Sequence, residues 1–340
     1  SPMPTRLGLP TLCSADESAA AGRTRNSRGA ARVDGLALLR VVCLFVLTAC
    51  GPTRGAAPSD TLALERLAFV PRGQMSVALP GSGPQLYEIR EPLLVDMFEV
   101  TRGEWMLYAN EHKPVAELAA YAATWSSSRA DLPATFVTQR EAEEFARWRG
   151  MRLLRAGEWL VCAIGPQRLA YPWGSTAQRS IANTLELGLE RVAPVGTFEA
   201  GRTANYVYDM LGNAAEWSAD LAPTADTLVG DERASVLGGS FRNLSRPIID
   251  LRPTEGQSAL FTRSVARDSR ADDVGLRCCA EAEAWLWDHT RELDERTDLS
   301  LRLVAVGRRW GRRALPLLDE LAARPNAPRA LSALAQGARQ

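Results

Sequence analysis

The sequence is poor in the residues that build reactive metal centres. Its 340 residues include two histidines, His112 and His289, and six cysteines. Histidine-based iron and zinc sites need several imidazoles that converge on one point, so this scarcity argues against them. The formal net charge is zero, so no overall positive field attracts nucleic acid. Because the chain also lacks a phosphate-binding glycine-rich loop and a Cys-x-x-Cys pair, we expect no haem, no nucleotide and no nucleic-acid partner.

A long apolar segment is also missing, but a short one stands near the start. Residues 41–49 form an apolar run that is too short to span a bilayer and is typical of a secretory signal. Leu47-Thr48-Ala49-Cys50 resembles the lipobox of bacterial lipoproteins, in which the cysteine is acylated after cleavage. An ordinary cleaved signal with a chance cysteine is the alternative. We therefore predict an exported lipoprotein anchored in the membrane of the cell envelope through Cys50, with a disordered leader and signal peptide at residues 1–49 and a flexible tether at 50–61.

From residue 62 the pattern becomes that of a globular domain. Apolar runs predict strands at residues 67–70 and 93–100. Two helix starts follow from capping boxes, in which a threonine and a glutamate three residues later satisfy each other's backbone. These boxes predict a helix over residues 105–110 after Thr101, and another after Thr138. The 26 glycines and 20 prolines favour a core rich in turns.

The most informative stretch is residues 205–217. It begins like a short strand at 206–208, turns at Gly212, and places the carboxylates of Asp209 and Glu216 on either side of the bend. Calcium prefers such a mixture of carboxylate and carbonyl oxygens. A turn with two solvated acids remains the alternative.

The segment Tyr-Asp-Met-Leu-Gly-Asn-Ala-Ala-Glu-Trp at residues 208–217 resembles the signature of the formylglycine-generating enzyme, or sulfatase-modifying factor, family. The resemblance implies a structural calcium ion bound by the side chains of Asp209 and Glu216 and the carbonyls of Gly212 and Ala214. Asn183 and Thr184 resemble the start of a second calcium loop, whose acidic partner has no clear equivalent here, although Glu186 could take its place. Tyr206 stands where the family has glycine.

Further elements follow in the family's order, so that the resemblance covers residues 62–283. They are Phe98-Glu-Val-Thr-Arg-Gly-Glu-Trp105, Arg152-Leu-Leu-Arg-Ala-Gly-Glu-Trp159, Tyr171-Pro-Trp-Gly174, Val236-Leu-Gly-Gly-Ser-Phe241 and Val274-Gly-Leu-Arg-Cys278. The fold implied is α+β: an irregular mixed α/β domain related to the C-type lectin fold. Residues 284–340 lie outside the resemblance and have a helical pattern over 299–323, which Pro316 kinks or restarts, and over 329–335. These basic helices either pack on their own domain or lie on anionic lipid.

The family's catalytic cysteines are missing. They bind copper and activate oxygen, and their positions hold Asn243 and Ile248, which cannot replace thiolates as copper ligands. The resemblance also implies a disulfide from Cys162 to Cys278, or to Cys279. A redox-active Cys278–Cys279 pair is an alternative.

These features favour a non-catalytic, lipid-anchored binding or scaffold protein, a pseudoenzyme whose partner is an envelope or secreted protein. The alternative is a divergent oxidoreductase of the formylglycine-generating type or a helper in sulfatase maturation. Ligand display by the surface after Phe241, as in lectin-like tropism proteins, is a third hypothesis.

Overall fold

The computed structural model describes residues 64–79, 83–125, 129–221, 232–252, 259–294 and 300–340, all within one compact unit. The leader, the signal, Cys50 and the tether lie outside the described residues, so the predictions about them stay predictions. In the part of the chain that the structure describes, no helix is both long enough and apolar enough to cross a membrane.

The strands form three sheets. The first has the order β1-β4-β10-β5 and is antiparallel, the second is the β2-β3 hairpin, and the third has the order β8-β7-β6-β9 with β6 and β9 parallel. The strands are β1 Leu67–Val70, β2 Gly73–Ala78, β3 Pro84–Ile89, β4 Leu93–Asp96, β5 Arg152–Leu153, β6 Ala215–Leu221, β7 Arg233–Leu237, β8 Thr262–Ala266, β9 Val274–Gly275 and β10 Cys278–Glu281.

Eight helices surround these sheets within the described ranges. They are α1 Arg102–His112, α2 Val115–Thr124, α3 Gln139–Trp148, α4 Ala156–Ile164, α5 Ala282–Leu293, α6 Ser300–Trp310, α7 Leu315–Ala322 and α8 Arg329–Arg339. Short 3-10 turns occur at Leu185–Leu187, Glu199–Gly201 and Arg312–Ala314. The mixed, irregular α+β architecture expected from the resemblance is therefore confirmed.

Both predicted capping boxes are present. The backbone N–H of Thr101 donates to Glu104 Oε2 at 2.8 Å, and that of Thr138 donates to Glu141 Oε2 at 2.9 Å. In return, each threonine hydroxyl accepts from the backbone N–H of its glutamate. These reciprocal bonds satisfy donors that the first helical turn leaves unpaired. Helices α1 and α3 therefore begin directly after the two threonines.

The first sheet divides the hydrophobic core, because both of its faces are covered. Consecutive residues of β4 and β10 belong to different clusters: Leu94 and Cys278 pack on one side, and Val95 and Cys279 pack on the other. This follows from the alternation of side chains along a strand. A sheet that is buried on both faces requires apolar residues at successive positions, which explains the apolar run Leu93-Leu94-Val95 in β4.

The C-terminal helices pack on their own domain, which is one of the two alternatives predicted for them. Trp310 at the end of α6 donates from Nε1 to the carbonyl of Leu67 at 2.9 Å, and its ring lies 5.9 Å from that of Phe69. The predicted helix over 299–323 is interrupted at Gly311, whose φ is +67°, and resumes as α7 with Pro316 in its first turn. The last helix continues to Arg339, four residues beyond the predicted end at 335.

Two local predictions were wrong. Residues 206–208 form no strand: the chain bends at Tyr206, whose φ is +64°, and continues as irregular backbone to Asp209, whose φ is +56°. The predicted disulfide is absent, because Cys162, Cys278 and Cys279 are all buried free thiols. Cys278 lies on the face of the sheet opposite to Cys162, while Cys279 shares the cluster of Cys162 without a bond. Burial raises the pKa of Cys162 to about 12, which keeps its thiol protonated and unreactive.

Candidate functional site

The centre of the candidate site is a buried ion pair between Glu216 and Arg277. Both side chains are almost fully buried, with 2% and 0% of their surface exposed, and Arg277 Nη2 lies 2.6 Å from Glu216 Oε1. Arg277 Nε approaches both carboxylate oxygens, at 3.0 and 3.1 Å, and the indole N–H of Trp159 donates to Oε2 at 2.7 Å. Arg277 also donates to the carbonyls of Asp96 and Tyr208. The pair therefore links β6, α4 and the start of β10.

Two further buried carboxylates, those of Glu99 and Asp209, act on the same guanidinium. Burial raises the pKa of Asp209 to about 6, because the bond from the Gly196 N–H and the charge of Arg277 offset burial only in part. Burial also holds the pKa of Glu99 well above its usual range, and the nearby charges of Asp209 and Glu216 add to this effect. Three carboxylates thus face one arginine. We call Glu99, Asp209, Glu216 and Arg277 the buried charge cluster.

The bend at 212–214 is held by close backbone contacts that leave no room for a side chain at position 212. Gly212 has φ +83°, and a Cβ there would lie 2.5 Å from the carbonyl oxygen of Asn183. The Asn213 N–H donates to that same carbonyl at 2.7 Å, and the Asn213 carboxamide donates to Glu99 Oε2 at 2.7 Å. Glu99 Oε1 accepts from the Ala214 N–H at 2.8 Å. Glu99 therefore holds the bend through its bonds to Asn213 and Ala214. Because Asn213 bonds to the carbonyl of Asn183, the two predicted calcium loops lie side by side.

The predicted calcium ligands fit only in part. A carboxylate offers about four lone-pair positions, and those of Glu216 are taken by three contacts from Arg277 and one from Trp159. In this arrangement Glu216 does not fit as a calcium ligand, although Asp209 and the carbonyls of Gly212 and Ala214 lie on the bend as expected. The described residues contain no group of three or more acidic, histidine or cysteine side chains that could hold a metal. An ion at this bend would depend mainly on carbonyl and water oxygens.

The second predicted calcium loop has an unusual buried acceptor. Asn183 is fully buried, and its Nδ2 donates to the carbonyl of Arg191 at 2.9 Å and to Asn213 Oδ1 at 3.0 Å. Its Oδ1 has no hydrogen-bond donor among the described residues. Buried carbonyl oxygens are normally satisfied, and a cation is one way to satisfy this one. Glu186, considered as the acidic partner, instead accepts from the Ser245 N–H at 2.8 Å.

The residues at the two family cysteine positions have structural roles. Asn243 Oδ1 accepts from the backbone N–H of Ser240 at 2.9 Å and from its hydroxyl at 3.1 Å, closing the turn after Gly239. Ile248 is fully buried in the core beside the first sheet. Neither side chain offers a redox-active or copper-binding atom.

Two residues of the cluster, Glu99 and Arg277, were not predicted as site residues. Each stands inside an element that carries the resemblance, Phe98-Glu-Val-Thr and Gly-Leu-Arg-Cys278. The sequence signal that could have identified them is a charged residue between apolar neighbours. Such a residue requires a partner when it is buried, because an unpaired buried charge is costly.

Comparison with known proteins gives the family. Residues 54–282 match the model described as the sulfatase-modifying factor enzyme 1-like domain. The chain is 40% identical over 92 residues to hercynine oxygenase of Mycolicibacterium thermoresistibile, covering 26% of this chain and 21% of that protein. It is 24% identical over 259 residues to inactive C-alpha-formylglycine-generating enzyme 2 of Mus musculus, covering 59% of this chain and 79% of that protein. The chain therefore spans about a fifth of the length of hercynine oxygenase.

Solved structures with similar chains include PvdO from Pseudomonas aeruginosa and CarF. PvdO has 19% identity and a TM-score of 0.46, covering 63% of this chain and 94% of that chain. CarF has 17% identity and a TM-score of 0.48, covering 66% of this chain and 99% of that chain. Since the family model matches well over half of its residues, this chain belongs to the sulfatase-modifying factor enzyme 1-like domain family.

Proposed function

We propose that this protein is a non-catalytic, lipid-anchored binding or scaffold protein of the bacterial cell envelope. The observation that carries the proposal is the use of the two family cysteine positions for structure, with Asn243 closing a turn and Ile248 buried in the core. Copper(I) chemistry requires soft ligands such as thiolates, and neither residue supplies one. The similarity to an inactive relative in mouse also supports a non-catalytic role.

The anchor is part of this proposal. The apolar run before Cys50 and the lipobox-like sequence support acylation at that residue, and a membrane-bound position favours an envelope or secreted protein as partner. Labelling of the full chain with a palmitate analogue, and its loss in Cys50→Ser, tests the anchor.

A divergent oxidoreductase or a sulfatase-maturation helper is the second candidate. It is favoured by the 92-residue stretch that is 40% identical to hercynine oxygenase. That stretch is a small part of the relative, and the two histidines of this chain, at the end of α1 and in α5, each hydrogen-bond a carbonyl of their own helix.

Oxygen consumption separates the two candidates. We expect the purified full-length protein, supplied with copper or ferrous iron and a cysteine-containing peptide, to consume oxygen no faster than the metal and peptide alone. Cross-linking in native envelopes should at the same time recover a specific protein partner. A formylglycine-generating enzyme serves as the positive control. Metal-dependent oxygen uptake above the background would replace our proposal with the second candidate.

We also propose structural calcium, at Asp209 with the carbonyls of Gly212 and Ala214, and at Asn183 with Thr184. The excess of buried carboxylates over guanidinium and the unsatisfied Asn183 Oδ1 support this. Added calcium should raise the melting temperature and a chelator should lower it, because an ion that binds only the folded state stabilises it by about 2.7 kcal/mol at a hundredfold excess over Kd.

The matched variants are Asp209→Asn, which should respond less to calcium, and Asp272→Asn, an exposed acid paired with Arg242, which should respond like the wild type. Identical melting of the wild type in chelator and in calcium would refute the calcium proposal.

A further inference from the structure

The formal charge of the chain is distributed unevenly. Residues 300–340 contain eight arginines and two acidic residues, Asp319 and Glu320, although the whole chain has a net charge of zero. A cationic surface is attracted to anionic ones, among them the headgroups of acidic lipids. The location of these arginines in the fold therefore indicates which anionic surface they can reach.

Four of the eight arginines lie together where α6 ends. They are Arg308, Arg309, Arg312 and Arg313, and we call them the arginine corner. Gly311, whose φ is +67°, ends the helix between the first two and the last two. Arg309 is half-buried and the other three are exposed. The corner therefore presents a dense positive charge to the outside of the domain.

The bonds of the arginine corner to the rest of the protein go to neutral acceptors. Arg308 donates to the side-chain oxygen of Gln340. Arg309 Nη2 donates to the backbone carbonyl of Glu65 at 2.8 Å, and Arg313 Nη2 donates to that of Ala204 at 3.2 Å. Such bonds orient a guanidinium but leave its positive charge uncancelled, because the acceptor carries no net charge. The charge therefore still attracts an anion outside the protein.

The carboxylates on the surrounding elements are balanced by other arginines. The pairs are Glu65 with Arg302, Glu104 with Arg66, Glu199 with Arg202, and Asp319 with Arg339. Asp294 accepts from the backbone N–H of Arg329, whose side chain carries the opposite charge. Because each of these sets has no net charge, together they neither add to the charge of the arginine corner nor cancel it.

Two further negative charges reduce the charge of the corner only in part. Glu320 shares Arg324 with Glu283, but it lies about 10 Å along α7 from the corner, farther than the Debye length of about 8 Å. The carboxylate of the last residue, Gln340, is beside Arg308 and offsets one of the four positive charges. The corner therefore keeps a net positive charge.

The described part of the domain begins beside the arginine corner. Leu64 is the first described residue, and its carbonyl accepts from Arg309 Nη2 at 3.4 Å. An anchor at Cys50 would therefore be joined to the domain at this corner, through a segment that spans at most about 50 Å when fully extended. The anionic surface that such an anchor brings within reach is that of the lipid headgroups.

We propose that the arginine corner binds the anionic lipid surface of the membrane in which Cys50 is anchored. The packing of α6 and α8 on the domain is compatible with this contact, since it involves the end of α6 and the turn after it. The contact would fix which face of the domain points away from the membrane, toward a protein partner. Its place beside the membrane rests on the anchor proposed above, whereas its affinity for anionic lipid does not.

Flotation with lipid vesicles tests the proposal. The protein is the full-length chain with Cys50→Ser, so that no acyl chain contributes, and the vesicles are phosphatidylcholine with or without phosphatidylglycerol. The measured quantity is the ratio of the two partition coefficients, anionic over neutral. We expect a ratio well above one that falls toward one in 1 M salt, where the Debye length is about 3 Å. Residues 1–49 are the same in all variants, so their contribution cancels when variants are compared.

Three double variants locate the binding surface. Arg308→Gln with Arg312→Gln should lower the ratio by about 30-fold, since each arginine near an anionic surface contributes about a factor of five. Lysine at the same two positions should preserve the ratio, because the charge is kept. Arg90→Gln with Arg155→Gln is the matched control: it removes the same charge from exposed residues at a separate cavity and should leave the ratio unchanged.

The lipid contact is refuted by a ratio near one, or by equal losses in the two glutamine double variants. It is also refuted if polyglutamate binds as tightly as the vesicles and this binding is lost with Arg308 and Arg312, which would assign an acidic protein instead. Palmitate labelling reports on the anchor alone. A failure of flotation therefore leaves the anchor standing, and an absence of labelling leaves the affinity for anionic lipid standing.

Discussion

Replacing Arg277 with methionine should destabilise the protein by about 3–5 kcal/mol, the usual effect of removing one partner of a buried ion pair. The reason is the composition of the buried charge cluster. Without the guanidinium, Glu99, Asp209 and Glu216 would remain in the interior with no positive side chain among them. The carbonyls of Asp96 and Tyr208 would also lose a donor each.

Replacing the acidic partner, in Glu216→Gln, should destabilise the protein much less. In Glu216→Gln the arginine keeps the carboxyl groups of Glu99 and Asp209 nearby, and the glutamine oxygen can still accept from the Trp159 indole. We therefore expect a loss of about 1–3 kcal/mol, the cost of an imperfectly satisfied buried group. In an isolated pair of one acid and one base, removing either partner would lower the free energy of unfolding by a similar amount. A larger loss in Arg277→Met than in Glu216→Gln therefore indicates the excess of carboxyl groups.

Urea unfolding of both variants in chelator measures this difference without any contribution from calcium. Arg242→Met is the matched control, because its partner Asp272 is exposed and such surface pairs are worth less than about 1 kcal/mol. Equal losses for Arg277→Met and Glu216→Gln would contradict the arrangement of three carboxyl groups around one arginine.

The parts of the fold that could be predicted are those in which cause and effect lie within a few residues. The capping boxes at Thr101 and Thr138 each need only four consecutive residues, and both helices start where the pattern indicates. The bend at Gly212 is equally local, because its φ of +83° is a backbone conformation that favours glycine. The calcium ligands proposed for that bend came from resemblance alone.

The errors arise where distant segments decide. Glu216 is 61 residues from Arg277, and no local pattern indicates that the arginine occupies the carboxylate proposed for a metal. The pairing of Cys162 with Cys278 failed because long-range pairing makes residues 278–281 a strand, and alternation along it places Cys278 on the face of the sheet opposite to Cys162. Cys279 lies on the same side as Cys162, and both are free thiols. The break between α6 and α7 was placed at Pro316, yet Gly311 ends the helix, since its positive φ suits glycine at a helix C-terminus.

The C-terminal helices lie outside the family match, yet their contact is among the tightest in the described structure. Helices α6 and α8 cross with a glycine on each side: a Cβ on Gly307 would lie 2.0 Å from the carbonyl oxygen of Leu334, and one on Gly337 would lie 2.0 Å from that of Val304. Backbone meets backbone at this crossing, so no rotamer change can relieve an added methyl group.

Gly307→Ala should therefore destabilise the protein by about 3 kcal/mol, at the upper end of the usual cost of overpacking. This is opposite in sign to the intrinsic preference, because alanine is about 1 kcal/mol better than glycine inside a helix. Separating α8 from α6 would also weaken the hydrogen bond from Trp310 to the carbonyl of Leu67, which attaches α6 to β1. The control is Gly157→Ala in α4, where the new Cβ would meet Tyr87 at an ordinary 3.5 Å and stability should stay level or rise. If thermal melting finds Gly307→Ala as stable as Gly157→Ala, the crossing is looser than described and the extension contributes little to the stability of the domain.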